Sequence, residues 1–192
     1  MTIGDDSSIG NHTTVKTGTT IGRNTRIFHN CSIGEIPQDL KFSGEKSELF
    51  IGDSTTIREF CTLNRGTKAT GFSKIGSNCL LMAYVHVAHD CIIGDHSILA
   101  NGVQLGGHVE IGIHVTIGGM TPVHQFCKVG DYSFIGGGYR IVQDVPPYIL
   151  AMGEPLKFSG LNSIGLRRKN FSPDIRKQMK RAYQLIYQSD LN

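Results

Sequence analysis

The sequence has no tryptophan, and its longest apolar run is "CLLMAYV", residues 79–85. A membrane-spanning helix needs about 20 apolar residues in succession, so none is expected. The start, "MTIGDDSSIG", has neither a basic cluster nor an apolar stretch and does not read as a secretory leader. These absences predict a cytoplasmic protein without a transmembrane segment. Cysteine is sparse and odd in number, at five, with no pair at a zinc-type spacing. That counts against a disulfide framework and against a thiolate metal site. Net charge is also low, at +3, but it is uneven. Residues 154–192 hold eight Lys/Arg against three Asp/Glu, and residues 1–153 hold eleven against thirteen. The basic tail suits phosphates or an acidic partner protein, or is simply a solvated basic helix.

What the chain has in abundance is glycine, 24 of 192 residues, the mark of a backbone that turns often and tightly. Apolar residues recur every six positions, at Ile3, Ile9, Val15, Ile21, Ile27 and Ile33, then Ile51, Ile57 and Leu63. A third run continues from Ile75 through Leu81, Val87, Ile93, Leu99, Leu105, Ile111, Ile117, Val123, Val129 and Ile135 to Ile141. Glycine often follows this anchor, and a small residue stands four positions after it. A period of six fits neither a helix nor a long straight strand; it fits a short strand and a tight corner. Repeated, that unit builds an all-β solenoid, a parallel β-helix in which each coil buries its anchor against the next. All five cysteines fall in the small-residue slot and read as buried fillers.

Two stretches break the lattice, residues 35–50 and 64–74, and read as excursions from the prism. The repeat is expected to stop at Pro146-Pro147, which gives a solenoid over 1–147 and a short, incomplete α-helical segment over 148–192. There Ser172 is a good N-cap and Pro173 a good first helical residue. Ile175, Met179, Ala182, Tyr183 and Ile186 then follow at helical spacing. A shorter helix is expected around "LNSIGLRRK".

If three hexads make a coil, residues 18 apart stack. His89, Gly107 and Gln125 then form one ladder, Asp90 and His108 a second beside it, and His86 and His124 lie close by. His96 and His114 also stack, but at another phase, and no role is assigned to them. Convergent imidazoles suit either zinc binding or general-base chemistry, and phase alone does not separate the two. Gly107 favours the base, since a glycine lets a backbone N–H approach a reacting carbonyl closely.

The segments "IPQDLKFSGE", "IREF", "NRGT", "HVAHDC", "GGHV", "IGGMTPVHQFC", "QDVPPY" and "GLRRKNFS", in this order, resemble the UDP-N-acetylglucosamine O-acyltransferases that begin lipid A synthesis. The resemblance runs from about Ile3 to Asn192, and the chain looks shortened at both ends. It implies 18-residue coils, a left-handed β-helix and a homotrimer. It also implies transfer of a (3R)-3-hydroxyacyl group from acyl carrier protein to the 3-hydroxyl of UDP-N-acetylglucosamine, without metal, cofactor or nucleic acid. Carried onto this sequence, His89 is the base, Gly107 the oxyanion donor and Asp90 the acid beside the base, although neighbouring strand residues normally point to opposite faces. Asp39 and Lys41 match sugar-pocket residues, and His86, His108, His124 and Gln125 line the acceptor cleft. Asn162, Arg168 and Lys169 match positions near the nucleotide, and Gly137 matches the position that sets acyl-chain length. Ile164 replaces a frequent glutamate and leaves a 3-amino acceptor open. The other readings are a later-step N-acyltransferase, a zinc hydratase on the same fold and a scaffold without chemistry.

Overall fold

The structure, a computed structural model, describes residues 1–188. Residues 189–192 of the expected C-terminal segment lie outside the described residues. Each anchor pairs in parallel with the anchor one coil on, Val87 with Leu105 and Leu105 with Val123, Ile93 with Ile111, and Leu99 with Ile117. Successive strands therefore enter different sheets, and every third strand stacks on the one before. Among the described residues this gives sheets of seven, nine and six strands, parallel except for the last pair. The three sheets are the faces of a prism. We number its edges by the sheet that precedes them, so the first, second and third edges follow the seven-, nine- and six-stranded sheets.

The anchors fill the interior. Ile33, Leu63, Ile75, Leu81, Leu99, Ile117 and Ile135 are fully enclosed, each contributing about 1.5–3 kcal/mol relative to exposure. That gain needs a covering coil: on the outermost coil Ile3 and Ile9 stay 41% and 37% exposed. Three residues past the anchor the backbone turns through the left-handed region, with φ of 59° at Asp90, 60° at His96, 62° at His108 and 54° at His114. Aspartate, asparagine and histidine tolerate that region better than most residues. One residue later comes the small-residue slot, filled by valine on several coils and on others by a hydroxyl or thiol that donates to a carbonyl of the next coil. Thr55 Oγ1 donates to Gly76 O and Ser97 Oγ to Gly112 O, both at 2.8 Å, while Cys61 and Cys91 thiols reach Met82 O and Gly106 O at 3.1 Å. The five cysteines are buried and free, and those two bridge coils besides filling space.

Both excursions leave at the third edge, between strands Ser32–Glu35 and Glu48–Ile51 and between Thr62–Asn64 and Phe72–Ile75. They brace one another. Asn64 Nδ2 donates to Ile36 O at 2.7 Å, Lys68 N–H to Glu45 Oε1 at 3.1 Å, and the Arg65 guanidinium lies over the Phe42 ring.

The expected end at Pro147 needs correction. Val145 still bridges Val129, Ile149–Met152 joins the nine-stranded sheet beside Phe134–Ile135, and Lys157–Leu161 closes it antiparallel. The prolines are tolerated because they sit at a corner. Pro147 is two past an anchor, where the ladder uses no N–H, and Pro146 has no further coil among the described residues to donate to. Residues 148–161 are thus strands and a turn, and the helices are α1 (Ser163–Arg168) and α2 (Pro173–Gln188). Ser172 Oγ caps α2, accepting from Ile175 N–H at 3.3 Å. The apolar stripe expected on α2 is only partly covered. Met179 and Tyr183 are half-buried, with the Tyr183 hydroxyl on Pro147 O at 2.7 Å, whereas Ile175 and Ile186 are 45% and 52% exposed. Among the described residues no helix is long and apolar enough to cross a membrane.

Candidate active site

His89 stands two residues past the anchor Val87, at the start of the third edge, and Asp90 occupies the left-handed corner after it. The corner answers the objection from strand alternation. Neither residue lies in the strand, which ends at Val87, and the positive φ swings the Asp90 carboxylate back to the preceding ring. His89 Nδ1 is 2.7 Å from Asp90 Oδ2. The carboxylate is wholly buried, and the imidazole keeps 14% exposure, enough to meet a substrate. Burial alone would raise the carboxyl pKa, but hydrogen bonds from Thr70, His89 and Thr67 outweigh it and hold it at about 2. An ionised carboxylate only accepts, so Nδ1 carries a proton, and the tautomer this selects for the neutral ring is the one that leaves the Nε2 lone pair as a base.

Gly107 lies one coil below. A Cβ there would sit 2.5 Å from His89 Cε1 and 2.7 Å from Nε2, so the imidazole occupies the space that glycine leaves. Its N–H is at the position two past an anchor, outside the ladder. At the same position on the first edge the next coil's aspartate accepts that N–H, as Asp95 Oδ1 does from Ser77 and Asp131 Oδ1 from Ile113. Among the described residues nothing accepts from Gly107 N–H. A free backbone donor therefore stands beside the free nitrogen of a pinned imidazole.

Of the other expected cleft residues, His108 contacts His89, and the rest lie along or lead off the same edge. His108 packs edge-on to His89, with centroids 5.1 Å apart, and stacks on Phe126 at 4.6 Å. Its Nε2 is 3.7 Å from Asp90 Oδ2. His86 Nδ1 is 2.7 Å from Thr62 Oγ1, and burial pushes its pKa down, favouring the neutral ring. His124 and Gln125 are exposed on the next coil, with His124 Nδ1 directed at Gln125 O at 3.1 Å. Asp39 and Lys41 sit at the tip of the first excursion, on the same edge, where Asp39 Oδ1 accepts from Lys41 N–H at 2.9 Å.

Four expected residues lie elsewhere. Asn162 Oδ1 caps α1 through Gly165 N–H at 3.1 Å, and its Nδ2 donates to Tyr132 O at 2.8 Å. With both ends of its amide engaged, Asn162 fixes α1 to the first edge. Arg168 ends that helix, and Lys169 follows, exposed; burial, and after it the Lys169 charge, push the His114 pKa down. Gly137 is on the second edge, where a Cβ would meet Gly119 O at 3.0 Å. Within one chain none of the four joins His89. Sequence reasoning missed Thr67, Thr70 and Phe126. The threonines sit in an excursion with no lattice phase to read, while Phe126 falls 18 residues after His108 and was open to detection.

His89, Asp90 and His108 also offer three ligand atoms within 4.8 Å of one another. Asp90 is poorly suited to a metal. Thr67 N–H and the Thr70 hydroxyl approach Oδ1, while the Thr67 hydroxyl and His89 approach Oδ2, so a cation would have to displace one of them.

Residues 72–107 match a family model described as bacterial transferase hexapeptide (six repeats), and residues 144–192 one described as UDP-N-acetylglucosamine O-acyltransferase, domain 2. An acyl-[acyl-carrier-protein]–UDP-N-acetylglucosamine O-acyltransferase of Aliarcobacter butzleri is 51% identical over 88% of this chain. The chain spans 65% of that relative's length. LpxA from Acinetobacter baumannii superposes with a TM-score of 0.96 at 47% identity, over 99% of this chain and 74% of that one. UDP-N-acetylglucosamine acyltransferase from Francisella novicida gives 0.97 at 38% identity, over 99% and 70%. By hexad lattice, histidine edge and these likenesses together, the chain belongs to the UDP-N-acetylglucosamine O-acyltransferase family.

Proposed function

We propose that the chain transfers a (3R)-3-hydroxyacyl group from acyl carrier protein to the 3-hydroxyl of UDP-N-acetylglucosamine, the first step of lipid A synthesis. The observation that carries this reading is an imidazole pinned through Nδ1 on Asp90 and lying against Gly107, whose N–H has no acceptor among the described residues. His89 Nε2 removes the acceptor hydroxyl proton as that oxygen attacks the thioester carbonyl. Gly107 N–H stabilises the tetrahedral oxyanion. The intermediate collapses with loss of the carrier thiolate, and the imidazolium returns its proton to that sulfur. No metal or cofactor is needed. Asp39 and Lys41 bind the sugar, and His86, His108, His124 and Gln125 line the acceptor cleft. Asn162 fixes the helix whose end presents Arg168 and Lys169 to the diphosphate.

Those cations lie along the first edge and His89 along the third, so the two sets meet only across a boundary between copies. A homotrimer of left-handed β-helices, working in the cytoplasm, supplies that boundary. Gly137 then lines the acyl groove, where the lack of a side chain favours a longer chain. The basic surface of α2 receives the acidic carrier protein. The test is mass spectrometry of products after incubation with a series of 3-hydroxyacyl carrier proteins and either UDP-N-acetylglucosamine or its 3-amino analogue. An ester with the first acceptor supports the proposal. An amide alone moves the activity to the amino sugar, and no product with either refutes it.

A further inference from the structure

We propose that Thr67 and Thr70, on the second excursion, are positioning residues that clamp Asp90 and thereby fix the tautomer and orientation of His89. The catalytic consequence rests on reading His89 as the base; the clamp itself does not. Thr67 is buried and gripped from both sides. Its N–H donates to Asp90 Oδ1 at 2.9 Å, and its hydroxyl donates to Oδ2 at 2.8 Å while accepting from Ala69 N–H at 3.1 Å. The Thr70 hydroxyl lies against Asp90 Oδ1 and also 2.8 Å from Phe72 O. With one proton to give, it donates to the carboxylate, where the bond is charge-assisted.

Both oxygens of Asp90 are thereby filled by donors from one loop, and the remaining approach to Oδ2 is taken by His89 Nδ1–H. A carboxylate held only by its histidine could rotate about its own χ angles and carry the ring with it. Free imidazole divides its proton between the two nitrogens, so a loosened carboxylate would also let Nε2 become the protonated one and cease to be a base. The loop is itself braced by the first excursion through Glu45, which accepts from Lys68 N–H. This gives the second excursion a purpose that the hexad lattice does not supply: it leaves the prism at the one edge where a carboxylate needs a second layer of donors.

The test uses selectively 15N-histidine-labelled full-length protein. The His89 tautomer is read from its ring nitrogen shifts in wild type, in Thr67→Val/Thr70→Val and in Thr67→Ser/Thr70→Ser. Wild type and the serine variant are expected to hold the Nδ1–H form, and the valine variant, nearly isosteric but without the hydroxyls, to show a mixture. In parallel, kcat of the valine variant should fall about tenfold or more, the effect expected of losing a hydrogen bond to a charged group. The serine variant should recover it, with KM for both substrates changed by less than about twofold. A folded valine variant that keeps the wild-type tautomer overturns the role given to the two threonine side chains, whatever its activity, because of the loop's donors only the backbone N–H of residue 67 is then left on the carboxylate. If the tautomer shifts as expected but wild type makes no acylated sugar nucleotide, the clamp stands and the transferase reading falls. If the valine variant does not fold, Thr70→Val alone is read the same way, because Thr70 is exposed and leaves Thr67 in place.

Discussion

Gly107→Ala is the smallest change that tests the geometry of the proposed base. The new methyl would lie 2.5 Å from His89 Cε1 and 2.7 Å from Nε2, where an ordinary contact begins near 3.4 Å. Either the ring or the coil beneath must move by about 1 Å, and a displacement of that size at a reacting centre costs on the order of 100-fold, or about 2.7 kcal/mol of activation free energy. The ring is the part that yields. The Gly107 carbonyl is tied to Phe126 N–H at 3.0 Å and its neighbours on both sides hold ladder bonds, whereas the His89 ring, beyond its own backbone bond to His108 N–H, is held by one side-chain bond and by packing. Moving it stretches the 2.7 Å contact to Asp90. Because Gly107 does not adopt positive φ, alanine is compatible with its backbone, and the N–H that receives the oxyanion is retained. The expected result is a kcat/KM lower by about 100-fold, with a urea midpoint close to that of wild type. A folded alanine variant within threefold of wild-type kcat/KM would show that the imidazole is not the group doing the chemistry.

The His89→Ala variant should fold normally and lose most turnover, whereas His96→Ala, on the first edge, should leave both turnover and stability near wild type; a comparable loss from each would remove the distinction between the edges. For Arg168→Ala the expected outcome is weaker sugar-nucleotide binding by calorimetry, and unchanged affinity in a folded variant would put the tail outside the nucleotide site. Asp90 gives a pH signature: its hydrogen bonds hold its folded pKa at about 2, below the usual aspartate value of about 3.9. Its ionised form therefore contributes stability, on the order of 2 kcal/mol, that is present above about pH 4 and lost as pH falls through about 2. The stability gap between wild type and Asp90→Asn, followed by chemical denaturation, should close over that window, and a gap independent of pH would contradict the hydrogen-bonded carboxylate.

Much of the architecture was readable because a six-residue period leaves few ways to bury its anchors. Val87, Leu105 and Val123 had to stack once the coil length was set, and they do. The same phase put His89, Gly107 and Gln125 at one edge. What the period could not carry was side-chain direction at corners. Asp90 looked badly placed for His89 because strand alternation was applied where the backbone is left-handed. Thr67 and Thr70 were invisible for a different reason: residues 64–74 have no lattice, so their partner 20 or more positions away could not be inferred from spacing. Pro146-Pro147 marked a corner, not an end, since proline stops a ladder only where the ladder needs its N–H. The spacing along α2 showed amphipathicity but not how much of the stripe the solenoid would cover, which depends on how the helix lies against Phe158 and Pro147.

The central claim is that His89 is a base on an acyltransferase. The measurement that tests it most directly is acyl transfer from 3-hydroxyacyl carrier protein to UDP-N-acetylglucosamine by wild type and His89→Ala, side by side and with a metal chelator present. Transfer by wild type that resists the chelator and is lost in the variant is the predicted result. Transfer by the variant at the wild-type rate, or wild-type transfer abolished by the chelator and restored by zinc, would contradict it.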